Sequence, residues 1–121
     1  MKKINRVRKA QEFNQMIRSG KKLSGGSFVL YCLPKKEKAA RCGITLPKKI
    51  GNAVERNLIK RQTRMMCQDL IDFRTFPKDI ILIVRFGYKN RSYAENKKNL
   101  EKLVSKATMD RRIFNKQGEQ Q

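Results

Sequence analysis

The sequence predicts a single-domain α+β sandwich, and three observations predict it. Apolar residues recur at three- and four-residue steps in three stretches, the spacing of one helix face. Between them lie short apolar runs rich in β-branched and aromatic residues, as strands are. Charge is also segregated: residues 23–34 carry none and 65–88 carry three of each sign, while 1–22, 35–64 and 89–121 carry net +7, +8 and +5. The neutral stretches are the most apolar, so they form the core and the basic ones its surface. At 121 residues the chain fits one domain that buries roughly two-thirds of its unfolded surface.

The elements follow in order. Residues 1–7 read as a basic, frayed entry. Ala10, Phe13, Met16 and Ile17 mark a helix from about Arg8 to Ser19, which Gly20 can close. Lys21 to Gly26 is a turn or short edge strand, and Ser27 to Leu33 a strand stopped by Pro34. Ala40 to Leu46 reads as its antiparallel return. Asn52 then caps a second helix, with Glu55 reaching back to the cap, and this helix is expected to run to about Phe73. Pro77 breaks the chain. Asp79 to Phe86 is the clearest strand, and its continuous apolar run places it centrally, buried on both faces. Ser92 and Glu95 form a capping box that opens a last helix, burying Tyr93, Leu100, Leu103, Val104 and Ala107. The domain is expected to span 1–107, and 108–121 reads as a polar, disordered tail.

Composition narrows the function. Thirty Lys and Arg against ten Asp and Glu leave a formal net charge of +20, a self-repulsion that a polyanionic partner relieves. Nucleic acid is the simplest such partner. No run approaches the roughly 18 apolar residues of a membrane-spanning helix. Cys32, Cys42 and Cys67 are odd in number and set in apolar contexts, as buried thiols of a reducing compartment are. Three cysteines without histidine argue against a zinc site. The absence of histidine also excludes Ser-His and Cys-His nucleophile pairs and histidine acid–base chemistry. Asp69 and Asp72 could share a helix face, a spacing more common in ordinary solvated helices. A self-sufficient nuclease, a structural RNA-binding protein and a cationic membrane-active protein are the competing classes.

The second helix is the most informative stretch. Lys48 to Arg64 holds six cations and one carboxylate. At about 100° per residue with Arg56 at zero, Lys60 falls near 40°, Arg64 near 80°, Asn57 near 100° and Arg61 near 140°. Val54, Leu58, Ile59, Met65, Met66 and Leu70 fall between about 160° and 320°, the arc expected to bury. One face then presents a comb of cations and an amide, suited to a partner whose charges repeat along a line.

Lys49-Ile50-Gly51-Asn52-Ala53-Val54, with Arg56-Asn57, Lys60-Arg61 and Arg64, resembles the RNR motif of the bacterial ribonuclease P protein subunit. Asn5-Arg6-Val7 and Glu12-Phe13 resemble that family's start and first helix, Phe28 to Tyr31 a strand, and Asp79 to Ile83 its last strand. The resemblance covers residues 4–107. The chain departs from the pattern at Leu58, where a basic residue is common, at Met65 and Met66, where polar residues are usual, and at Ile17, which is often aromatic.

The resemblance implies a four-stranded mixed sheet with three helices, in which the basic helix joins two parallel strands by a left-handed crossover. It implies a cytoplasmic subunit with no catalytic residue of its own. The partner RNA would carry out cleavage and hold the Mg2+ ions, removing the 5′ leader from precursor tRNA. The protein would bind the catalytic RNA through Lys48, Lys49, Arg56, Asn57, Lys60, Arg61 and Arg64. It would also bind the leader in a cleft formed by Phe13, Ile17, Val29 and Tyr31, broadening the range of substrates. By pattern alone Phe13 and Tyr31 read equally as core residues.

Overall fold

The computed structural model describes residues 6–7 and 9–109. Helix α1 (Ala10–Ser19) leads into strands β1 (Lys21–Gly25) and β2 (Phe28–Pro34). Strand β3 (Cys42–Thr45) is followed by a 3-10 turn (Lys48–Ile50) and helix α2 (Ala53–Leu70). Strand β4 (Lys78–Val84), a second 3-10 turn (Phe86–Asn90) and helix α3 (Tyr93–Met109) complete the order. The result is the expected α+β architecture of three helices on a four-stranded mixed sheet.

The strands lie in the order β1-β2-β4-β3. Strand β4 pairs antiparallel with β2, from Phe28 opposite Val84 to Pro34 opposite Lys78, and parallel with β3, from Cys42 beside Ile80 to Thr45 beside Ile83. Its central place follows from its sequence: the unbroken apolar run from Ile80 to Val84 can be covered on both faces. This pairing corrects the reading of residues 40–46 as the return of β2. The β4 run takes the place beside β2, and β3 becomes the edge beyond it, joined to its parallel neighbour through α2. The entry is also more ordered than expected at Val7, whose amide donates to the Cys42 carbonyl at 3.1 Å and whose side chain is buried. Residues 1–5 and 110–121, including most of the expected tail, lie outside the described residues, whereas Thr108 and Met109 continue α3.

Alternation along β2 divides its side chains between two layers. Phe28, Leu30 and Cys32 point into the main core with Ile80, Leu82 and Val84, beneath Ile59, Met66 and Cys67 of α2 and Leu100, Leu103, Val104 and Ala107 of α3. The opposite face is smaller. There α1 packs across β2 and β4, and Val7, Met16 and Ile81 are buried among half-covered Phe13, Ile17, Tyr31, Leu33 and Ile83.

Both predicted capping boxes form. The Glu55 amide donates to Asn52 Oδ1 and the Asn52 amide to Glu55 Oε1, each at 2.9 Å. Ser92 and Glu95 repeat the exchange at 3.1 and 2.9 Å. Helix α2 stops at Leu70, before Phe73, so Asp72 lies beyond its end and accepts from Arg74 while Asp69 pairs with Lys97. The two carboxylates therefore serve different cations.

Helix α2 is rotated relative to the arc its sequence predicts. Val54, Leu58 and Met65 are 77%, 42% and 51% exposed, while Thr63 and Cys67 are fully buried with Ile59 and Met66. The buried arc runs from about 280° through zero to about 20°. Thr63 can face the core because its hydroxyl donates to the Ile59 carbonyl at 2.8 Å, leaving no unsatisfied polar group. A hydropathy count places Thr63 outside; one intrahelical hydrogen bond reverses that.

Candidate RNA-binding surfaces

The rotation determines how the cationic side chains stand. Lys48 and Lys49, on the turn before α2, are exposed, as are Asn57 and Arg61. Arg56, Lys60 and Arg64 follow one another at four-residue steps, each about 6 Å further along the axis, and are half-buried at the flank of the helix. The Arg56 guanidinium also donates to the Pro47 carbonyl, which ties it to the loop leading out of β3.

Among the described residues, none of the six cations on this surface has a carboxylate partner. The paired acids are engaged elsewhere. Glu55 is bonded first to the Asn52 amide and then to Lys89, which together hold its carboxyl below the usual range. Arg41 bridges Glu12 and Asp79, with contacts of 2.6 and 3.2 Å, and its hydrogen bond lowers the Glu12 pKa. The basic comb is thus left unneutralised on a helix whose cap is secured by a different pair.

The second predicted surface lies on the α1 face of the sheet. Phe13, Ile17 and Tyr31 fall in one half-covered cluster, and Val29 stands on the same face of β2 as Tyr31, opposite Ile83. The four residues named from the sequence are therefore brought to one side of the sheet. Leu33 and Ile83 belong with them and were not anticipated, although two-residue alternation from Tyr31 reaches Leu33. Phe13 rests on the backbone of Gly43, where a side chain would not fit. Glu12, one residue earlier, anchors α1 to Arg41 on the lead-in to β3.

A third feature had no sequence signal. A hollow of about 230 Å³ opens between α2, the turn after β4 and the start of α3. Its walls come from Glu55 to Gln62 of α2 and from Tyr88 to Asn96 after β4, so only folding assembles it.

The ribonuclease P family model matches residues 1–108. The ribonuclease P protein component of Bacillus velezensis is 37% identical over 117 residues, covering 96% of this chain and all of the relative. That of Bacillus cereus is 38% identical over 112 residues, covering 92% of this chain and 97% of the relative. The solved structure of the Staphylococcus aureus RNase P protein superposes with a TM-score of 0.74 at 32% identity, covering 92% of this chain and 98% of that one. The chain therefore belongs to the ribonuclease P family, as a protein component of that tRNA-processing ribonucleoprotein.

Proposed function

We propose that α2 seats this subunit on the catalytic RNA, and that the α1 face of the sheet holds the 5′ leader of precursor tRNA. The observation that carries the reading is the set of six cations around Asn57 that, among the described residues, no acid neutralises. A row of arginines and lysines suits phosphates, which the planar guanidinium engages two oxygens at a time. Asn57, exposed among them, offers both a donor and an acceptor to a ribose hydroxyl or base edge. The half-covered aromatic and aliphatic side chains of the second surface suit single-stranded bases.

Cleavage then belongs to the RNA. Without histidine the chain lacks the usual base for activating a nucleophile. In keeping with the family resemblance, the Mg2+ ions that assist cleavage are assigned to the RNA. The protein's share is to extend the track along which the substrate lies. No helix among the described residues is long and apolar enough to cross a membrane, and the reading places the particle in the cytoplasm.

The test combines the chain with a bacterial ribonuclease P RNA and follows release of a labelled leader from precursor tRNA. The mixture is expected to cleave at magnesium concentrations where the RNA alone is slow, and the chain alone to leave the substrate intact. Cleavage by the RNA-free chain, or no gain in the mixture, overturns the proposal. With six phosphate contacts, affinity falls by about 10³ between roughly 50 and 200 mM salt.

A further inference from the structure

We infer that the hollow between α2, the turn Phe86–Asn90 and the start of α3 receives one unpaired nucleotide of the RNA on which α2 docks, an inference that rests on the docking reading above. Its volume of about 230 Å³ is below the roughly 300–1,000 Å³ of sites for drug-sized molecules, and so suits a single ring system.

The walls have the chemistry of a base site. Tyr93 contributes a half-buried ring from α3, and Leu58 an exposed aliphatic surface from α2, which together can hold a planar ring. Gln62 lines the same hollow. The Tyr88 phenol donates to Gln62 Oε1 at 2.7 Å, so the amide is oriented and its Nε2 protons remain for a base edge. Tyr88 is itself fixed, since its ring meets Phe28 edge-on and its carbonyl accepts from buried Asn96 at 3.1 Å. The charge at the rim has the sign a flanking phosphate requires. Lys89 is paired with Glu55 at 3.2 Å, while the exposed Arg91 guanidinium donates to the Gly87 carbonyl and the Ser27 hydroxyl and, among the described residues, meets no carboxylate.

The hollow also continues the docking face. From the cations near 40–140°, the surface of α2 passes to the exposed stripe of Val54, Met65 and Leu58 near 160–200° and then to the hollow near 200–300°. Three exposed apolar side chains next to a polyanion-binding comb are accounted for if ribose and base surfaces cover them.

The test uses the chain assembled with a bacterial ribonuclease P RNA. Tyr93→Leu and Gln62→Leu are expected to weaken assembly about tenfold, the scale of one stacked base, with the salt slope unchanged. Tyr93→Phe, which keeps the ring, is expected to bind as the parent does. Parental binding by Tyr93→Leu, while Arg61→Ala weakens assembly, leaves docking in place and overturns the nucleotide site. No loss from Arg61→Ala overturns the docking reading itself. Because Tyr93 also packs against the core, a benzophenone side chain at position 58 gives a second measurement. A crosslink to one unpaired nucleotide supports the site. Crosslinks scattered over paired RNA, or a protein dimer of doubled mass, overturn it.

Discussion

The ring of Phe13 lies so close to the backbone of Gly43 that a Cβ at position 43 would stand 2.6 Å from Phe13 Cε2. The same atom would stand 2.7 Å from Ile81 Cδ1. Glycine is thus required in β3 because an aromatic side chain from α1 occupies the space above it. Gly43→Ala is expected to cost about 1–3 kcal/mol of stability by overpacking, read by urea unfolding. The displaced ring should also narrow the affinity gap between precursor and mature tRNA, as Phe13→Ala should. An unchanged stability and an unchanged gap would contradict the contact.

The rotation of α2 makes neighbouring methionines unequal. Met66 is fully buried and Met65 is 51% exposed. Met66→Ala is expected to cost about 2–5 kcal/mol, and Met65→Ala to stay within about 0.5 kcal/mol of the parent. A large cost at both positions would restore the orientation that the hydropathy pattern predicts, which buries the two together.

Removing single charges from the comb should weaken assembly without unfolding the chain. Lys60→Ala and Arg61→Ala are each expected to reduce the salt dependence of RNA binding by about one in slope, measured as affinity against salt concentration. Arg56→Ala should differ, because the guanidinium also bonds the Pro47 carbonyl. That variant is expected to lose about 1 kcal/mol of stability in addition to affinity.

Acid should loosen the attachment of α1. The hydrogen bond from Arg41 holds the Glu12 carboxyl below the usual glutamate range. A lowered folded-state pKa stabilises the fold above the unfolded value, and that contribution is lost as pH falls through the folded value. Glu12→Gln is therefore expected to be less stable than the parent at neutral pH by about 1 kcal/mol, discounted for the solvent on one side of the pair. Below both pKa values the two should converge. Urea unfolding at neutral and acid pH decides it, and a constant gap would assign the loss to packing.

The elements and both capping boxes were legible because they depend on residues near each other in the chain. Asn52 with Glu55 and Ser92 with Glu95 close their exchanges within one helical turn. The central position of β4 was legible for a different reason, since an uninterrupted apolar run has no face to offer water. The α1 face could be named in part, because alternation along β2 separates Val29 and Tyr31 from Phe28 and Leu30.

Partner choice between strands was not legible from local pattern. Strand β3 reads as a hairpin return of β2, yet it pairs with β4, since pairing energy depends on which neighbour the assembled sheet presents. The orientation of α2 was hidden for the same reason. Thr63 and Cys67 reach the core only because α3 and the sheet meet that side of the helix, and the Thr63 hydroxyl finds the Ile59 carbonyl. By itself the sequence determined the charge, the helix-forming segments and the motif by which the family is known. Tertiary packing alone decided which residues of α2 face water, and so brought Leu58, Gln62 and Tyr93 together around one hollow.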